Sequence, residues 1–291
     1  MKFGLIGIER SLDLCLLKRE LENRGHRAVF INIRKFPRYV TASITPMEIN
    51  FNHLSLLDFD CFYLGELEIR EGFFRGRFGK EIWMSLRDRY NQFLESEGDS
   101  LSFQLNLIMC LGEARPCVNR PFSLIRTRFR PSVGFLLNRS DIPTAPMVLG
   151  TAEDPEDTYA SARIRVEEEV LYDVPCFPRD WLSCLSVRRK RPREHWRTIA
   201  VKGAVTAKMV VRAEGQERAA PQPAEVTRTG QAVLNSLGLE LAEIAMAPDG
   251  EGLAILDTRP FPRISGFEEI TGENLSGVIA DRLIAAGGHS E

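Results

Sequence analysis

The sequence has almost no net charge. Lys and Arg total 38 against 40 Asp and Glu, a formal −2 at neutral pH. So balanced a chain has no general attraction to nucleic acid or to an anionic membrane. Long apolar runs are also missing, and none approaches the roughly 20 residues that span a bilayer. Histidine is scarce, at 4 residues, and neither His53 nor His195 stands at metal-ligand spacing. The 6 cysteines (Cys15, Cys61, Cys110, Cys117, Cys176 and Cys184) are scattered with no C-x-x-C pair. That argues against a zinc cluster and predicts unpaired thiols in a reducing, cytoplasmic setting. The opening MKFGLIGIERSLD turns charged too soon for a secretion signal. The turn after its apolar run lacks G-x-G-x-x-G, so dinucleotide binding has no motif to rest on. Nothing marks a nucleophile with a base beside it, and there is no internal repeat.

What is present reads as two units. A chain of 291 residues with 44% hydrophobic content can bury a sizeable core. KFGLIGI is a short apolar strand, Ser11 is placed to cap the next helix, Gly25 ends it, and AVFINI is a second strand. This β-α-β start predicts a right-handed crossover. INFNHLSLL and DCFYLG suggest further short strands, and residues 79–112 carry helical periodicity. Cys117 to Asn119 form a short strand, and 122–140 return to helix. TIAVKG and AVTAKMVVRA form a hairpin with Gly203 near its turn; RAEGQERAAPQPAEV reads as a polar loop. VTRTGQAVLNSLGLELA is an amphipathic helix, and EIAMAPDGEGLAILD is a second hairpin. LDTRPFPRISGFEEITG is its second strand with a proline-rich exit turn, and ENLSGVIADRLIAAG closes the chain as a helix. The boundaries expected are 1–115 for an α/β unit and 116–291 for an α+β unit with an antiparallel sheet.

Three segments, in order, resemble the ATP-grasp superfamily, and within it the RimK-like carboxylate–amine ligases. In CVNRPFSLIRTRFRPSVGFLLNRSDIPTAPMVLGT, Asn119, Pro121, Ile142, Pro143, Pro146 and Thr151 stand where the family enters its ATP-binding unit. WRTIAVKGAVTAKMVV resembles the strand that begins with a functional arginine, here Arg197. GLELAEIAMAPDGEGLAILDTRPFPRISGFEEITG resembles the last hairpin. The resemblance implies a pre-ATP-grasp α/β unit followed by an ATP-grasp unit. It also implies ATP and magnesium as cofactors, and amide formation through an acylphosphate. Magnesium takes hard oxygen ligands, and phosphoryl transfer needs positive charge around the phosphates.

The chain departs from that pattern where the chemistry is concentrated. Ala245 stands at the place of the first strand's acid. Asp257 keeps the second acid, but Arg259 replaces the asparagine two residues on. Between Thr151 and Arg197 there is too little room for the lysine–proline strand and glycine-rich loop, so the central lid region is expected to be shortened. These departures predict weakened or lost ligase activity and a surviving role in binding a peptide or protein partner, with homo-oligomerisation compatible. An active divergent ligase is the alternative.

Several residues carry two readings. Asp257 either ligates a residual metal or pairs with Arg259, since alternate strand residues share a face. Arg259 either makes that pair or contacts phosphate in place of a metal charge. Arg197 is a catalytic candidate, and Lys202 either joins a nucleotide site or is a solvated turn residue. Within the basic stretch RRKRPREHWR, 188–197, the run from Arg188 to Arg193 reads as a solvated loop or as a binding module for nucleic acid or acidic protein. GELEIREGFFRGRF, with Glu66, Glu68, Arg70 and Arg75, resembles family architecture.

Overall fold

The computed structural model describes residues 1–7, 11–36, 39–65, 102–128, 130–145, 147–151, 167–173, 185–191, 194–249 and 252–288. The GELEIREGFFRGRF segment beyond Gly65 and the expected helix up to residue 101 lie outside the described residues. The chain divides into two compact units, one of Met1–Pro121 with Ile279–Glu291 and another of Phe122–Val278.

In the first unit, β1 (Lys2–Ile6) leads through α1 (Leu12–Asn23) to β2 (Arg27–Ile31). Their pairing is parallel, with Lys2 opposite Arg27 and Ile6 opposite Ile31. Ser11 takes the N-cap position without a side-chain cap bond. Leu14, Leu17 and Leu21 form the buried stripe of α1. Gly25, at φ +77°, ends the helix in the left-handed region where a side chain is strained. Strands β3 (Ala42–Ile44), β4 (Ile49–Phe51) and β5 (Leu54–Ser55) form a small antiparallel sheet of their own. After β6 (Cys61–Leu64), helix α2 over residues 102–114 precedes β7 (Cys117–Val118), which completes a parallel sheet of order β2-β1-β6-β7. Burial pushes the Cys117 thiol far above its usual range, and Cys61 is buried while Cys15 is exposed. A thiol reagent is therefore expected to label Cys15 in the folded protein and to reach Cys61 and Cys117 only on unfolding, because the thiolate is the nucleophile. Rapid native labelling of Cys117 would contradict that burial.

The second unit begins at Phe122, within α3 (Pro121–Arg128), and continues through α4 (Arg130–Asn138). Strands β8 (Met147–Thr151), β9 (Glu167–Asp173) and β10 (Leu185–Arg191) form a three-stranded sheet of order β8-β10-β9. This corrects the loop expected for the basic run, much of which is strand β10. In the register of that sheet Arg189 stands opposite Glu169, Lys190 opposite Glu168 and Arg191 opposite Glu167.

The main sheet of the unit is antiparallel, of order β13-β12-β11-β14-β15. Its strands are β11 (Glu194–Val201), β12 (Lys208–Ala213), β13 (Gln216–Pro221), β14 (Leu241–Asp249) and β15 (Gly252–Arg259). β13 occupies the stretch expected to be a polar loop. QERAA has no apolar alternation to announce a strand. Its place comes from the turn, where Glu214 and Gly215 both have positive φ, 53° and 81°, the pattern of a two-residue hairpin loop. α5 (Ala224–Leu237) covers one face of the sheet. Its Val226, Val233, Leu234 and Leu237 are fully buried, each contributing about 1.5–3 kcal/mol. Gly238 at φ +66° ends it, and the Leu239 N–H donates back to the Leu234 carbonyl at 2.9 Å, a Schellman closure that sets the start of β14. Ala145 N–H donates to the Ile255 carbonyl at 2.9 Å, and Ile255 N–H to the Pro143 carbonyl at 2.8 Å. Residues 143–145 thus pair with β15 at Ile255. The exit turn is short: after Arg259 the chain enters α6 (Ile264–Thr271), before the last helix α7 (Leu275–Gly287).

Candidate functional site

The face of the five-stranded sheet opposite α5 forms the floor of a cleft of about 580 Å³, a size suited to a ligand. Its lining includes His195, Arg197, Arg212, Glu217, Glu243, Ala245, Asp257, Arg259, Arg263 and Glu269. Strand alternation brings these side chains together, because every second residue of each strand faces the cleft. Cross-strand register then orders them. One row runs Arg197, Ala245, Asp257 over β11, β14 and β15. Beside it Ile199, Glu243 and Arg259 form a second, and Glu217, Arg212 and His195 a third. α6 packs against β12 and β13 and walls the cleft. It is pinned there by Lys208 Nζ, which donates to the Thr271 carbonyl at 2.6 Å.

A bulge aims Asp257. Ala245 pairs with Asp257 but Met246 pairs with Ile255, so Leu256 is the extra residue of β15. Such an insertion rotates the strand locally and re-aims the side chains beyond it. Leu256 packs with Ala245 and Ala247 in a small apolar cluster, while Asp257 is left buried, 7% exposed, at the cleft wall.

Charge is closely matched inside the cleft. Arg259 Nε donates to Asp257 Oδ2 at 3.0 Å, so the pair expected from strand alternation is formed. Arg197 bridges two acids, Glu217 at 3.2 Å and Glu243 at 3.5 Å. Glu243 also accepts the backbone N–H of Arg263 at 3.2 Å. A buried carboxylate survives only with such partners, given the cost of taking its charge out of water. Arg212 and Arg263 form no ion pair among the described residues.

Of the residues singled out in the sequence, Arg197, Asp257, Arg259 and Ala245 meet at this cleft. Lys202 does not: it lies exposed in the turn that follows β11, and the cleft lining omits it. Glu243, Glu217, Arg212, Arg263 and Glu269 carry no motif and were missed. For Glu243 a signal existed: it precedes Ala245 by two, so any strand that points residue 245 into the site points residue 243 the same way.

The resemblance implies magnesium, and the donor set does not fit it. A magnesium site needs several oxygens free to converge at octahedral geometry. Asp257 is held by Arg259, Glu243 is held by Arg197 and a backbone N–H, and Ala245 offers no donor. Among the described residues no three His, Cys, Asp or Glu side chains are grouped to hold a metal. Asp257 and Glu243 each have a guanidinium in contact, so a metal cation would compete against fixed positive charge.

No family model matches the chain, and no curated protein is similar to it in sequence. Solved structures do match. The ATP-grasp ligase PsnB, complexed with precursor peptide PsnA2 and AMPPNP, superposes with a TM-score of 0.74 at 16% identity, covering 98% of this chain and 97% of that one. The macrocyclase MdnC from Microcystis aeruginosa MRC, bound with precursor peptide MdnA, gives 0.71 at 11% identity over 98% and 100%. A RimK domain ATP-grasp protein from Sphaerobacter thermophilus DSM 20745 gives 0.58 at 15% over 98% and 100%. At such identities the likeness is one of fold, and it spans both units: this chain has the ATP-grasp fold.

Proposed function

We propose that this chain is a RimK-like ATP-grasp protein, descended from carboxylate–amine ligases, that binds a peptide at the cleft and has weakened or lost ligase activity. The observation that carries the reading is the Asp257–Arg259 pair at 3.0 Å with Ala245 directly across the ladder from Asp257. Where the family places metal-holding oxygens, this cleft has a guanidinium and a methyl group. Support for the peptide comes from the solved structures of similar fold that hold precursor peptides. Arg197 and Arg259 are the residues assigned to the site, and a cytoplasmic location is part of the reading. Calorimetric titration with ATP, with and without magnesium, tests it. Binding that magnesium leaves unchanged, with no ADP formed in the presence of peptide, is the expected result.

A second reading, an active ligase, is favoured by one observation. Glu243 supplies a second buried carboxylate at the cleft, 5% exposed, that the sequence pattern did not reveal. In that case ATP binding tightens with magnesium, and ADP appears together with a joined product. That outcome would overturn the first reading.

A further inference from the structure

We propose that the outer edge of β13 is a strand-addition site for an extended peptide carrying an acidic residue opposite Arg218. The inference rests on the peptide-binding reading above and says where and how the peptide is held. β13 ends the sheet order, and among the described residues no strand pairs with its far side. Gln216, Glu217, Arg218 and Ala219 are all exposed. An open edge offers a row of unused backbone donors and acceptors.

Parity fixes which groups are offered. In the β12–β13 hairpin, Ala213 and Gln216 flank the two-residue loop and so exchange ladder hydrogen bonds. Even-numbered residues of β13 therefore turn their N–H and C=O groups toward β12. The bond from Gln222 N–H to the Ala207 carbonyl, at 2.8 Å, agrees with this parity. Glu217 and Ala219 turn theirs outward. Pro221 has no N–H, so the ledge offers two donors and ends there.

The side chains select the occupant. Glu217 and Ala219 share the cleft face, since Glu217 lines the cleft, so the residues of an added strand opposite them would project over it. Arg218 stands on the other face, exposed and without an ion pair among the described residues. A carboxylate opposite Arg218 completes that position. A second copy of this chain fits poorly. Two-fold antiparallel self-pairing sets Glu217 opposite Glu217 or Arg218 opposite Arg218, and the next register, with Ala219 opposite Ala219, loses the two bonds that Pro221 cannot donate. Like charges directly opposite destabilise a ladder, so the edge is set against itself and open to a different strand.

The test uses the full chain, amide hydrogen exchange followed by NMR, and the probe acetyl-Thr-Val-Glu-Val-Thr-amide. Without probe, the Glu217 and Ala219 amides are expected to exchange fast and those of Arg218 and Ala220 slowly. Probe at about ten times its dissociation constant is expected to slow Glu217 and Ala219 roughly tenfold. N-methylation of both probe valines, or Ala219→Pro, is expected to abolish the effect. Proline is compatible at 219 because that N–H faces solvent. Arg218→Glu is expected to weaken the probe roughly fivefold. Slow exchange at Glu217 and Ala219 without probe would overturn the site. A probe that binds but spares those two amides, or binds Ala219→Pro equally, removes β13 and leaves the peptide-binding reading standing. No binding anywhere at millimolar probe removes both.

Discussion

The double variant Ala245→Glu with Arg259→Asn is expected to show magnesium-dependent ATP binding, where the proposed function expects none of the natural chain. The register places residue 245 directly across the ladder from Asp257, where side chains on one face stand about 5 Å apart at Cβ. A carboxylate at 245 would then face Asp257. Removing the Arg259 guanidinium releases Asp257 Oδ2 and supplies an amide oxygen two residues on, on the same face. Three hard oxygens would converge where the natural chain has one held acid. Calorimetry with and without magnesium is the measurement, and a gain of roughly tenfold or more in ATP affinity on adding the metal is expected, equivalent to about 1.4 kcal/mol. Arg259→Asn alone is expected to gain less, because Ala245 still supplies no donor. If the double variant folds and shows no metal dependence, the donors at these positions do not decide metal binding.

Glu243→Leu is expected to destabilise the second unit by about 3 kcal/mol. Glu243 is 5% exposed and holds both Arg197 and the Arg263 N–H at the entry to α6. Leucine would leave the N–H without its acceptor and Arg197 with Glu217 alone. Glu243→Gln keeps an acceptor for the N–H and is expected to cost about 1 kcal/mol. Urea unfolding followed by circular dichroism separates the two variants. Equal midpoints for Glu243→Leu and the natural chain would show that the acid does not anchor the cleft.

The sequence determined the elements whose patterning is local. The β-α-β opening, the apolar stripe of α5, the two hairpins and the closing helix come from period, turn glycines and caps. The Asp257–Arg259 pair was also legible, because two residues on one strand share a face whatever the strand packs against. Tertiary structure decided the rest. QERAAP became β13 since the edge of β12 and a two-residue turn offered it a ladder, which overrides weak local preference. Residues 188–191 of the basic run became part of β10 because β8 and β9 lie on either side of it and supply its ladder partners. The bulge at Leu256 depends on the pairing of β14 with β15, and no residue type announces it. Glu243, Glu217 and Arg212 reached the cleft through register across neighbouring strands, a relation between residues far apart in the chain that a linear pattern does not hold. Local rules specify strands and helices, but which charges meet is set by how the strands are aligned.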